Sequence, residues 1–290
     1  MPARSNARTV APGRSFAQVV FPCLLLLTAM LVGAAVDDAA SLHGPGTRLL
    51  WLNLVLITIY AAAVLWASTQ RSAAWNRVFH VGAKLGLLLA AVLVANDVVE
   101  LFIPVRPFAL IIAPVFLAIA ILAATGSATW ADTHSTPHAI FAGVCCVVVA
   151  MPLFLCSAVC LHLVFAARAE LPLQQPFAAS GMHDAHAFLV QNILQSASEA
   201  LLRFPLFAVF LSLAGVLSAK ISSISPRVRN TVAWLALPLF VAGAVALNHA
   251  NVLPRDQRPP FVLTGIVLAA VALSSIQTLW SALRGDVAEH

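Results

Sequence analysis

The sequence predicts an all-α fold, a polytopic membrane helix bundle of about eight transmembrane helices. Three observations carry the prediction. Of 290 residues, 61% are hydrophobic and only 9% charged, where soluble domains carry about a quarter charged residues. Apolar runs of roughly 18 residues or more recur along the chain, each long enough to cross a hydrocarbon core about 30 Å thick. The basic residues that remain gather in alternate connections, as retention of Lys and Arg on the cytoplasmic side requires.

The runs fall near Phe16 to Val36, Leu49 to Ala67, Lys84 to Phe102, Phe108 to Thr125, Ala139 to Ala167, Ala187 to Ala219, Thr231 to Asn248 and Phe261 to Leu283. Between them stand short polar stretches such as His43 to Gly46, Asp132 to His138 and Ser222 to Arg229, too short for separate aqueous domains. Residues 1–290 therefore read as one membrane domain, with cytoplasmic tails at 1–15 and 284–290 around a bundle at 16–283. The first run follows basic residues and precedes Gly33, Ala34 and Ala35, which resembles a cleavable signal. Its apolar stretch is longer than such a signal needs, and a retained helix is expected.

With the N terminus inside, Arg4, Arg8, Arg14, Arg71, Arg77, Lys84, Lys220, Arg227, Arg229 and Arg284 are cytoplasmic, and Arg48, Arg106, Arg168, Arg255 and Arg258 lie outside. The bias predicts both termini in the cytoplasm. Trp51, Trp66, Trp234 and Trp280 fall at predicted helix ends, where an aromatic belt belongs. An alanine-rich, lysine-poor composition suggests a bacterial cytoplasmic (inner) membrane; the lipid bilayer is the expected partner, and a small-molecule or ion substrate and subunits of a membrane complex are candidate partners. The net charge of +5 does not point to nucleic acid, because no basic cluster is interleaved with aromatics.

A weak self-match occurs at an offset of 152 positions (248 minus 96). It pairs Val64, Leu65, Ala67, Arg77, Leu87, Asn96, Arg106 and Pro107 with Val216, Leu217, Ala219, Arg229, Leu239, Asn248, Arg258 and Pro259. A parallel repeat of four plus four helices would explain it. Selection for membrane insertion would produce part of the same match.

Ionisable groups inside a span cost at least ~2.5 kcal/mol each and demand a partner, water or a function. The third span carries Asn96, Asp97 and Glu100, and the sixth carries Glu199 and Arg203. Counting 1.5 Å per residue from Lys84 and from Lys220 puts Glu100 and Arg203 at similar depth near the outer surface. Arg203 is therefore expected to bridge Glu199 and the Asp97/Glu100 face. Asn192, Gln195, Ser196, Glu199 and Arg203 form a polar stripe opposite Leu189, Ile193, Ala197 and Leu201, and Pro205 is a natural kink. The stripe would line water or lie along the outer leaflet. Asn96, Asn192, Gln195, His162, Asn248 and His249 are the candidate pocket residues on that side; His183 and His186, in the loop before the sixth span, reach it too and are expected to be solvated.

Cys156, Cys160 and His162 make a C-x-x-x-C-x-H pattern, but His162 is rotated about 200° from Cys160, and buried cysteine is most often a small apolar residue. No metal ligand set is assigned and no cofactor is named. The His134/His138 pair contains Pro137, which argues against a regular helix presenting both rings. Five cysteines inside apolar runs give no disulfide framework.

Asn96-Asp97-Val98-Val99-Glu100 with Arg106-Pro107 resembles part of the first aspartate-rich motif of membrane prenyltransferases, in which carboxylates hold Mg²⁺. The third acid and the second motif are missing, and the predicted side is the wrong one. Ala246-Leu247-Asn248 with Pro254-Arg255 resembles a short stretch of copper-resistance membrane proteins. Neither family is assigned. Phosphate loops, zinc-protease boxes, nucleophile elbows and multiple-histidine boxes are all missing. Glu199 and Arg203 give E-x-x-x-R without the companion motifs of CAAX-type proteases, and no lysine stands where a retinal protein would need it.

The reading that results is a transporter or permease-like component for a small solute or ion. A membrane enzyme or a metal- or haem-binding protein using the outer carboxylates and histidines is the alternative class, and a structural subunit of a membrane complex is a third.

Overall fold

The computed structural model describes residues 12–37, 45–103 and 108–224, and all regular structure within them is helical. The helices are α1 (Pro12–Asp37), α2 (Pro45–Thr69), α3 (Ala73–Phe102), α4 (Phe108–Thr133), α5 (Thr136–Val164), α6 (Ala166–Ala169), α7 (Gln174–Ser180) and α8 (Ala185–Ile224). A 3₁₀ turn at Leu171–Leu173 joins α6 to α7. Six of these, α1 to α5 and α8, are long and apolar enough to cross a membrane, which is the architecture of a multi-pass membrane protein. The expected seventh and eighth spans and most of the second half of the 152-residue match lie outside the described residues.

Local sequence explains where the helices begin. Proline opens α2 at Pro45 and stands in the first turn of α5 at Pro137, where its missing N–H costs no helical bond. Ser72 caps α3 by accepting from the Trp75 amide, and Asp184 caps α8 by accepting from the amides of His186 and Ala187. These acceptors satisfy amides that no turn of helix can. Only His134 and Ser135 separate α4 from α5, so the chain reverses through a left-handed residue, His134 at φ 48°. As expected, no regular helix presents both His134 and His138, because His134 stays in the turn and α5 starts beside Pro137. The proline sits before the first intrahelical donor is needed, and His138 joins the same turn through Nδ1 and Ser135 Oγ at 2.7 Å.

The helix boundaries move outward from those expected. α3 begins at Ala73 instead of near Lys84, and α4 continues to Thr133 instead of Thr125. The extra turns run alongside each other and close with an ion pair between Arg77 and Asp132. Beside it, Trp75 packs against Trp66, His138 and Phe141 with ring centroids 5.0–5.2 Å apart.

α5 is the hub. Every residue from Cys145 to Pro152 is buried, as expected of a helix apolar on all sides with neighbours on all sides. α1, α3, α4 and α8 pack around it. α3 and α5 run parallel: Gly82 faces Cys145, Gly86 faces Val149, and Asp97 meets His162. α2 and α8 are also parallel, because Asn53 reaches the Leu194 carbonyl and Tyr60 the Leu201 carbonyl at one constant offset of 141. A four-plus-four repeat requires α2 and α8 to be parallel, but alternate crossing of six spans requires it equally.

Candidate functional site

The in-span residues Asp97, Glu199 and Arg203 that the sequence singles out fall into two separate pairs. On α3, Asp97 Oδ1 lies 3.2 Å from His162 Nε2 at the end of α5. Asp97 retains 13% of its side-chain exposure and His162 30%. The second carboxyl oxygen, Oδ2, is buried and has no hydrogen-bond partner among the described residues. Glu100, one turn further along α3, is close enough to act electrostatically on the same imidazole and is itself engaged in an interaction. A carboxylate and an imidazole held across a helix interface, with acceptor capacity to spare, can bind a proton or a small cation.

The second pair stays within α8. Arg203 Nη1 lies 3.1 Å from Glu199 Oε2, and Gln195 Nε2 donates to Glu199 Oε1 at 3.0 Å. Leu189, Ile193, Ala197 and Leu201 are buried, whereas Gln195, Ser196 and Arg203 are exposed, so the polar and apolar faces separate as their spacing suggests. Asn192 is half-buried on the polar side. The partner that depth counting assigned to Arg203 differs in part: Asp97 is taken by His162, and Arg203 lies against its own helix neighbour Glu199.

Asn96 turns elsewhere. It is the one polar residue lining a cavity of about 200 Å³ between α3, α4 and α8, walled by Leu93, Ala118, Phe204, Phe207 and Leu211. Asn248 and His249 lie outside the described residues. His183 is exposed in the turn before α8, and His186 is exposed in its first turn.

The cysteines distribute as apolar residues do. Cys145 and Cys146 are buried against α3. Cys156 donates to the Cys23 carbonyl at 3.5 Å, and Cys160 is exposed, so the C-x-x-x-C-x-H residues point to three different surroundings. Among the described residues no group of three or more His, Cys, Asp or Glu side chains is arranged to hold a metal ion.

Two features of the packing are not legible in the sequence. Tyr60 and Asn53 each donate across the α2–α8 interface, and Asp97 pairs with His162; the sequence offers only the shared expected side of the last two, not their proximity.

The fold and these sites define a multi-pass membrane protein with a polar pair enclosed among its helices. No family model, curated protein or solved structure matches the chain, so its functional reading rests on its own residues.

Proposed function

We propose that the chain is a transporter or permease-like component of a bacterial cytoplasmic membrane, with eight spans, a four-plus-four parallel repeat and both termini cytoplasmic. In this reading it moves a small solute or ion, and the Asp97/His162 pair carries the coupling proton or cation. The observation that supports it is the nearly buried Asp97 carboxylate, which shares one oxygen with His162 and keeps the other unpartnered among the described residues. A charge in a span is costly enough that it persists only with a partner or a task. A purely structural pair has no use for a spare buried acceptor.

The test is electrical. Purified protein in proteoliposomes on a solid-supported membrane is challenged with amino acids, sugars, organic acids and metal cations in turn. At least one class is expected to elicit a current in the wild type that Asp97→Asn abolishes and His162→Gln reduces. Currents equal to those of protein-free membranes for every class would overturn the reading.

A further inference from the structure

The connection between α5 and α8 folds into a cup. Gly181, at φ 73°, ends α7 in the left-handed conformation that favours glycine, and Asp184 then caps α8. The reversal brings Phe188, in the first turn of α8, against Phe177 of α7, with ring centroids 5.7 Å apart and planes tilted by 55°. Glu170, Leu173, Gln174 and Phe177 follow one another at intervals of three and four, which puts them on one side of the helical stretch. Together with Ala185 and Phe188 they enclose a cavity of about 250 Å³. The polar groups in it are uncommitted. Glu170 is half-buried, and neither its carboxylate nor the Gln174 amide makes a hydrogen bond or ion pair among the described residues. Arg168, the basic residue nearest to Glu170 in sequence, lies over the Phe102 ring at 4.9 Å instead.

The walls select the ligand. A carboxylate set against two phenyl rings and Leu173 loses water on one side, and a cation in the same cup replaces that solvation. One carboxylate and one amide supply too few oxygens for a divalent metal. An ammonium bearing alkyl groups asks for few hydrogen bonds, offers apolar surface to Leu173 and Ala185, and is attracted by ring faces. The cavity is smaller than the roughly 300–1,000 Å³ of sites for drug-sized ligands, so it admits a small group. We propose that this cup binds an alkylated ammonium group, with Glu170 as its counter-ion, Gln174 orienting the substituent, and Phe177 and Phe188 against the cation. The site lies at the same end of the bundle as His162 but shares no residue with the Asp97/His162 pair, so it does not depend on transport. A free solute and the headgroup of a choline-bearing lipid share this chemistry.

Tritiated choline titrated onto the purified full chain in nanodiscs of phosphatidylglycerol, with binding read by scintillation proximity, tests it. Saturable binding is expected, displaced by tetramethylammonium but not by the uncharged choline analogue in which tert-butyl replaces trimethylammonium. Glu170→Gln should weaken binding about tenfold or more and Phe188→Leu several-fold, the scale of an ion contact and of a cation–π contact. Glu170→Asp, which keeps the charge, should retain most of what Glu170→Gln loses, and Asp132→Asn at the opposite end of the bundle should change nothing. Replacing part of the phosphatidylglycerol by phosphatidylcholine distinguishes the sources: loss of choline binding marks a lipid headgroup as the occupant, and persistence marks a free solute. Absence of saturable choline binding, equal displacement by the uncharged analogue, or full binding by Glu170→Gln would overturn the proposal.

Discussion

Tyr60 is the single tyrosine of the chain, and its position on α2 has a specific reason in α8. Pro205 has no N–H, so the Leu201 carbonyl four residues earlier loses its helical donor. The Tyr60 hydroxyl donates to that carbonyl at 3.1 Å in a fully buried setting, which is how a proline is tolerated inside a membrane helix. Tyr60→Phe should cost about 1–3 kcal/mol, the penalty of an orphaned buried acceptor. Pro205→Ala restores the amide, so in that background the same change should cost far less, and thermal unfolding of the four proteins in detergent measures the coupling. The Asp97/His162 pair obeys a related asymmetry. Replacing one partner leaves the other enclosed, whereas replacing both removes the need. Asp97→Leu and His162→Leu should each lower the unfolding temperature, and the double variant should recover part of the loss; strictly additive losses would show that the two groups do not depend on each other. Asp97 is legible in the sequence as a charge inside an apolar run. Its partner is not, because His162 is 65 positions away and depth counting alone favours whichever opposite charge shares the estimated level.

The contact between α3 and α5 is set by what is missing from it. Gly82 and Gly86, four apart, lie on one face of α3, and small residues at that spacing let membrane helices approach closely. A Cβ added at Gly86 would stand 2.6 Å from the Cys146 carbonyl oxygen and 2.9 Å from Val149 Cβ. Both are anchored atoms, so the helices must separate. Gly86→Ala should therefore destabilise the protein by about 1–3 kcal/mol, the usual cost of overpacking. Gly33→Ala, where a Cβ meets nothing within 4 Å, should be neutral or stabilising by up to about 1 kcal/mol from helix propensity. Equal unfolding temperatures for the two variants would contradict the close approach. The motif is written plainly in the sequence, yet starting the third span at Lys84 divides it. A lysine near one end of an apolar run looks like a boundary, although its aliphatic stem can run along the helix while the ammonium reaches the surface. The extra turns of α3 are held by Asp132 on α4, a long-range partner that no local pattern discloses. The polar and apolar faces of α8 were legible because a 3.6-residue period needs no partner to be seen.

At the scale of the molecule, apolar runs reveal how many helices there are, whereas the arrangement depends on contacts between residues 55 to 141 positions apart. The hub position of α5 follows in part from its content: small residues at Ala139, Ala142, Gly143 and Cys146 share one face and let α3 and α8 approach closely, while α2 keeps Trp51, Val55 and Ile59 turned outward. Alternate crossing puts the Gln70–Ser72 and His134–Ser135 turns at one end of the bundle. The connection through α6 and α7 lies at the other. Arg71 and Arg77 stand at the first end, in keeping with the excess of basic residues expected in the cytoplasm. The cost of carrying Lys and Arg across a membrane falls on insertion and does not depend on how the helices later pack, so the bias should predict orientation even though it says nothing of the fold. Cysteines introduced at Arg71 and at Ser180, in a chain whose native cysteines are replaced, should differ in intact cells. An impermeant maleimide is expected to label position 180 from outside and to reach position 71 only after the membrane is opened. The reverse pattern would invert the chain and place the Asp97/His162 pair nearer the cytoplasmic surface, so that any ion it accepts would enter from within the cell.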